Sequence, residues 1–214
     1  MGFSKQVIRR DILKNIIKNI NDLTANELFD IITTDTSRIG FLFETLSIIL
    51  LICKCLKINY SNIMTGQLQS LKICKNINDI LNLSIVSGNN PTDITIKNNN
   101  KIIAFSIKYR NKFLPNQSGV SEIDGELSNI NKNYSIGLIV KNKSLVEEHN
   151  YNNEVGNQKI LHTKLIENGL LLDKDDIIKG LEILCNNFKD YNNLDEFIEM
   201  INKDYLLSPR ELLT

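Results

Sequence analysis

Two short runs constrain this chain more than any other feature. Thr92 to Lys97 alternates polar and β-branched residues, and Ile102 to Tyr109 does the same after an Asn-rich turn. A period of two belongs to a strand, whose side chains point alternately to opposite faces. Two such runs joined by a short polar turn read as a β-hairpin. Ser106 and Lys108 share a face whatever the turn. If the turn holds an even number of residues, Asp93 joins them. The other face then carries Ile94, Ile96, Ile103, Phe105 and Ile107. A hairpin alone is marginal in water, so these apolar residues need a covering layer supplied by the rest of the chain.

The surrounding sequence supplies helices on both sides. Ile8, Ile12, Ile16 and Ile20 recur at helical spacing, and Thr24-Ala25-Asn26-Glu27 is a capping-box pattern for a second helix. A long helix is expected from about Ser37 to Lys57, another over residues 67 to 80, and a strand at Leu83-Ser84-Ile85-Val86 ending at Gly88. Beyond the hairpin come a loop from Phe113 to Gly119, a helix from Ser121 to about Asn131 and a strand from Tyr134 to Val140. A short strand at Lys159 to Thr163 and helical periodicity over residues 173 to 203 complete the order. This order predicts an α/β (α+β) fold, with a small mixed central sheet flanked by helices. The expected division is N-terminal helices at 1–36, a core at 37–165 and C-terminal helices at 166–207. Ser208-Pro209-Arg210-Glu211 has the N-cap, proline and acid of a helix start, so residues 208–214 are expected to open a further helix in a longer chain.

Composition removes several functional classes. Lys plus Arg and Asp plus Glu both number 25, so no global basic field marks a histone-like binder. A local basic strip can still hold phosphates. Cys53, Cys55, Cys74 and Cys185 contain no CxxC pair and no His at zinc-ligand spacing, and read as reduced apolar residues in an intracellular, cytoplasmic protein. His149 and His162 stand apart in sequence and read as structural. The apolar stretch Ile39 to Cys53 is too short for a membrane span and contains Glu44, so it reads as a core helix. No signal-peptide pattern opens the chain, where Arg9, Arg10 and Asp11 lead into an amphipathic stretch.

An aspartate and a lysine converging on one sheet face suit phosphodiester hydrolysis. The carboxylate can hold a divalent metal, and the ammonium can position water and steady charge on phosphate. Pro91-Thr92-Asp93, followed on the next strand by Ser106-Ile107-Lys108, resembles the PD-(D/E)XK (restriction-endonuclease-like) nuclease superfamily, within an element order spanning about residues 37 to 163. The resemblance implies a restriction-endonuclease-like core, Asp93 as a metal ligand and Lys108 as the catalytic lysine. It also implies Glu44, on the first core helix, as an additional acid. A carboxylate in so apolar a run costs several kcal/mol if buried unpaired. Glu44 therefore either points to solvent or faces the site.

Ser106 departs from the pattern, standing where an acid is usual. Some restriction enzymes resemble this arrangement, with SxK on the strand and the acid moved to the following helix. Thirteen residues separate Lys108 from Glu122, which is the candidate migrated ligand, with Glu126 one turn on as the alternate. The competing reading is that Glu122 simply favours a helix N-terminus. Arg110 and Lys112, interleaved with Tyr109, form a strip suited to nucleic-acid backbone, or else a solvated strand end. Arg38 either reaches phosphate or begins its helix. The expected function is a nuclease domain dependent on Mg²⁺ (or Mn²⁺) acting on DNA, or on RNA, within a larger chain carrying a motor or helicase. The alternatives are a catalytically inactive nucleic-acid-binding module on the same fold, of which Ser106 would be the mark, and a structural domain.

Overall fold

The computed structural model describes residues 5–57, 62–65, 92–98, 101–130, 133–154, 157–187 and 193–203. The expected helix over 67–80, the strand at Leu83 to Val86 and the helix start at Ser208 lie outside the described residues. The chain forms α1 (Lys5–Asn19), α2 (Ala25–Ile32), α3 (Ile39–Lys57), β1 (Asn62–Thr65), β2 (Ile94–Asn98) and β3 (Lys101–Lys108). Then come α4 (Val120–Ile130), β4 (Tyr134–Val140), α5 (Ser144–Glu147), α6 (Gln158–Glu167), β5 (Leu171–Leu172), α7 (Lys174–Asn187) and α8 (Leu194–Lys203). Among the described residues no helix is long and apolar enough to cross a membrane.

Local chemistry explains the helix starts. Thr24 Oγ1 accepts from the Glu27 N–H, and Glu27 returns a carboxylate oxygen to the Thr24 N–H at 2.8 Å, so two N-terminal amides of α2 are satisfied reciprocally. Asp173 accepts the N–H groups of Asp175 and Asp176 at the start of α7 in the same manner.

The sheet is mixed and five-stranded in the order β1-β2-β3-β4-β5. β1, β2 and β3 are antiparallel neighbours, while β3–β4 and β4–β5 are parallel. The register pairs Asn98 with Lys101 and Ile94 with Phe105, so an even number of residues joins the hairpin strands. Both faces of β3 are buried from Ile102 to Ile107, which requires a layer on each side. α3 packs on β1 and β3, with α1, α2, α7 and α8 gathered around it. α4 and α6 pack on β4 and on each other. Gly137 of β4 lies opposite Phe105, and a Cβ there would come within 2.1 Å of the Phe105 ring. The ring therefore occupies the space a side chain would take.

One expected element is different. Lys159 to Thr163 is not a strand but part of α6. Leu161, His162 and Leu165 are buried at helical spacing, while Ile160 and Ile166 are exposed. A five-residue segment with only two apolar residues cannot distinguish the two periods, and the helix prevails because it presents one stripe to α4 and β4. The pairing with β4 is taken instead by Leu171–Leu172.

Candidate active site at the end of the parallel strands

Asp93 stands just before β2, with its N–H donating to the Phe105 carbonyl at 2.9 Å. Asp93 lies outside the paired residues of β2, whose register begins with Ile94 opposite Phe105, and this bond is one residue off that register, so the strand alternation does not by itself fix its face. Its carboxylate Oδ2 accepts the Ile107 N–H at 2.6 Å and lies 3.6 Å from Lys108 Nζ. The carboxylate thus continues the β-ladder one step past the last backbone pairing, while its charge meets the ammonium. The pair is shielded but open to water, at 18% exposure for the Asp93 side chain and 27% for Lys108.

Ser106 is fully buried. Its hydroxyl, and that of Thr95 on the same face, meet no hydrogen-bond partner among the described residues. Buried hydroxyls are nearly always paired, so these two orphans are unusual in an otherwise apolar sheet.

The other expected members are placed less tightly. Glu44 is half-buried on α3, directly after Phe43, whose ring packs 4.8 Å from that of Tyr109. This contact brings the Glu44 turn of α3 to the Lys108 end of β3. Glu122 and Glu126 are exposed on α4, whose buried stripe is Val120, Ile123 and Leu127. Arg38 lies 3.5 Å from Asp35 and its N–H donates to the Asp35 carbonyl, the geometry of a helix start. Among the described residues no group of three or more His, Cys, Asp or Glu could hold a metal ion.

A hydrated hard cation needs fewer protein ligands. Magnesium is commonly held by one or two carboxylates together with waters and substrate phosphates, without an all-protein cage. Asp93 supplies one anionic group, while the Ser106 hydroxyl is fully buried.

Sequence reasoning missed a small cleft, with room for little more than a water molecule, beside Lys108 and lined also by Arg110, Lys112, Gln117 and Ser118. Leu138 and Val140 supply its apolar floor from β4. It sits where the parallel strands β3 and β4 end, the usual position for ligand crevices in α/β sheets. Arg110 donates to Gln117 Oε1, which fixes its direction. Lys141, the first residue after β4, donates to Asn111 Oδ1 at 2.6 Å and lies 5.2 Å from the Tyr109 ring centroid. Only its place after an apolar strand could have signalled it.

The two histidines are not isolated. His162 stacks on Tyr151 at 5.4 Å, and Phe113 meets both His149 and His162 edge-on at 5.5 and 5.1 Å. His162 Nδ1 lies 2.7 Å from the Gln158 carbonyl, so it carries the proton, and Nε2 lies 3.2 Å from Ser118 Oγ. Burial pushes the His162 pKa down, holding the ring neutral. Burial raises the Tyr151 phenol far above its usual range. A hydrogen bond to Asp124 raises Tyr134 to about 12. Spacings of 36 to 49 residues between Phe113 and the histidines hid the cluster from sequence reasoning.

No family model, curated protein or solved structure matches this chain.

Proposed function

We propose that the chain is a restriction-endonuclease-like domain that hydrolyses phosphodiester bonds of DNA with the help of Mg²⁺ or Mn²⁺. The observation that carries this reading is the Asp93–Lys108 pair, 3.6 Å apart at the end of the hairpin. Asp93 would hold the metal, with water and phosphate oxygens completing its shell, and Glu122 or Glu44 would have to approach to add a second carboxylate. When bound, the cation supplies Lewis-acid charge at the phosphate. Lys108 would meet a phosphate oxygen and the attacking water, neutralising charge that grows as water adds to phosphorus and the sugar oxygen leaves. Arg110, Lys112 and Lys141 gather at the same end of the sheet and suit contacts to the phosphate backbone, which fix register without reading sequence.

The test is cleavage of labelled single- and double-stranded DNA and RNA with Mg²⁺ or Mn²⁺, compared between the unmodified protein and Lys108→Met. Loss of one positioned donor of this kind typically costs about 10²–10³-fold in rate. Equal rates in the two proteins would remove Lys108 from the chemistry. A second reading is favoured by the exposure of Glu122 and the neutral Ser106: a domain that binds nucleic acid without cutting it. A salt-sensitive gel shift with no cleavage under any of these conditions would select it.

A further inference from the structure

Ser118 has one hydroxyl hydrogen and two acceptors within its reach. Its Oγ lies 2.7 Å from the Pro115 carbonyl and 3.2 Å from His162 Nε2. His162 Nδ1 carries a proton toward the Gln158 carbonyl at 2.7 Å, so Nε2 of the neutral ring offers only a lone pair. The neutral ring therefore accepts, and the Ser118 hydroxyl is the donor beside it. A protonated ring carries N–H on both nitrogens and can only donate. Nε2–H then points at Ser118 Oγ, and the hydroxyl turns to Pro115. One proton thus reverses a bond that joins α6 to a residue 44 positions away.

The surroundings of the ring oppose the charge. His162 and Ser118 are buried, and the Phe113 and Tyr151 rings pack on the imidazole at 5.1 and 5.4 Å. A cation in such a place costs far more than a neutral ring. Of the titratable groups that act on it, His149 opposes protonation and Glu154 favours it, but Glu154 is shared with His149 at 2.9 Å. The Tyr151 phenol donates to the Val146 carbonyl. On α4, which packs against α6, Glu122 and Glu126 are exposed and Asp124 is bonded to Tyr134 of β4. Lys159, Lys164 and Glu167 of α6 itself are exposed. A protonated His162 is therefore better solvated by water. It reaches water when Phe113 and Ser118, its two contacts from the 113–119 segment, move off.

Ser118 also opens α4. Its Oγ accepts the Val120 N–H at 3.3 Å, and Gly119 between them has φ 80°, a backbone form open to glycine. Gln117, one residue back, accepts from Arg110 beside Lys108. We propose that His162 is a proton-operated latch on the start of α4: the neutral ring holds Ser118, and the protonated ring lets the 113–119 segment go. The latch is a property of the fold and stands whether or not Asp93 and Lys108 cut. On the nuclease reading it loosens, in acid, the turn that carries Gln117 and leads to Glu122.

NMR on the isotope-labelled full chain tests it, following ring-nitrogen shifts and amide hydrogen exchange from about pH 8 to about pH 5. The His162 ring should show the Nδ1–H tautomer at the upper end. Opening frees the ring to titrate near about 6.5, whereas burial holds the closed ring lower. Between those two values the opening equilibrium rises about tenfold per pH unit. Protection of the Ser118 and Val120 amides, corrected for the intrinsic pH dependence of exchange, should fall by that factor. It should also stay below that of Ala104 and Phe105 in the centre of β3, which report opening of the whole fold. His162→Gln keeps an acceptor for Ser118 and does not titrate, so protection should become independent of pH. His149→Gln removes the facing cation and leaves Glu154 unshared, so the His162 midpoint should rise and the acid loss of protection should shrink. Ser118→Ala keeps the ring and should lower Val120 protection about tenfold already at the upper pH. If His162→Gln fails to fold, the other two variants carry the test. Protection that is flat with pH, that falls equally in His162→Gln, that survives Ser118→Ala, or that matches the β3 centre throughout overturns the inference, as does an Nε2–H tautomer. Exchange is read without any cleavage, so absence of nuclease activity leaves the latch standing.

Discussion

Asp93 is held by two interactions that different substitutions remove separately. Asp93→Ala deletes the acceptor of the Ile107 N–H, now 2.6 Å away, and the partner of Lys108 at 3.6 Å. A backbone N–H left unsatisfied in a buried strand costs about 1–3 kcal/mol. The ion pair is part-exposed, and after solvent screening it contributes less than about 1 kcal/mol. The two together predict a loss of about 2–3 kcal/mol. Asp93→Asn keeps an amide oxygen for Ile107, though as a weaker neutral acceptor, and loses the ion pair. Its cost should be about 1 kcal/mol. For a chain of 214 residues each kcal/mol moves the melting temperature by about 2–4 °C. Circular-dichroism melts should therefore show Asp93→Ala lower by about 5–10 °C and Asp93→Asn by about 2–4 °C. If the proposed reading holds, metal-dependent cleavage should be lost in both. A carboxylate with a purely functional role would leave stability untouched, and the hydrogen bond to Ile107 argues against that. Equal melting temperatures for the two variants would refute the claim that Asp93 completes the ladder.

Two further outcomes follow from packing and protonation. Gly137→Ala places a methyl within 2.1 Å of the Phe105 ring, in a strand buried on both faces, and should destabilise the fold by at least about 1–3 kcal/mol in urea unfolding; coupling it to Phe105→Leu should recover part of the loss, and no recovery would place the strain elsewhere. His162 is kept neutral by burial, and the nearby His149 pushes in the same direction while Glu154 and the Gln158 carbonyl oppose it. Its folded-state pKa is therefore below the unfolded value of about 6.5, so its contribution is complete above that pH and is lost as pH falls toward the folded pKa. The melting temperature of the unmodified chain should fall over this acid window more steeply than that of His162→Gln, and parallel pH profiles would show that another group titrates.

The hairpin was legible because strand alternation is a local rule. From the spacings of Asp93, Ser106 and Lys108 an even turn is expected to bring the first beside the last, and the structure places Asp93 3.6 Å from Lys108. The capping box at Thr24 and the strand Tyr134–Val140 were equally readable, since each is encoded within a few neighbouring residues. What lay beyond the sequence is what depends on distant partners. Lys159 to Thr163 carries too few apolar residues for its period to choose between strand and helix, and contact with α4 and β4 made it α6. β1 and β5, four and two residues long, exist because β2 and β4 offer edges to pair with. The braced Phe113 wall joins rings that chain order separates and the folded sheet end brings together. Local periodicity determined that Asp93 and Lys108 could meet. Only tertiary packing decided that a small cationic cleft opens next to them, because a cleft is made by elements that do not touch along the chain.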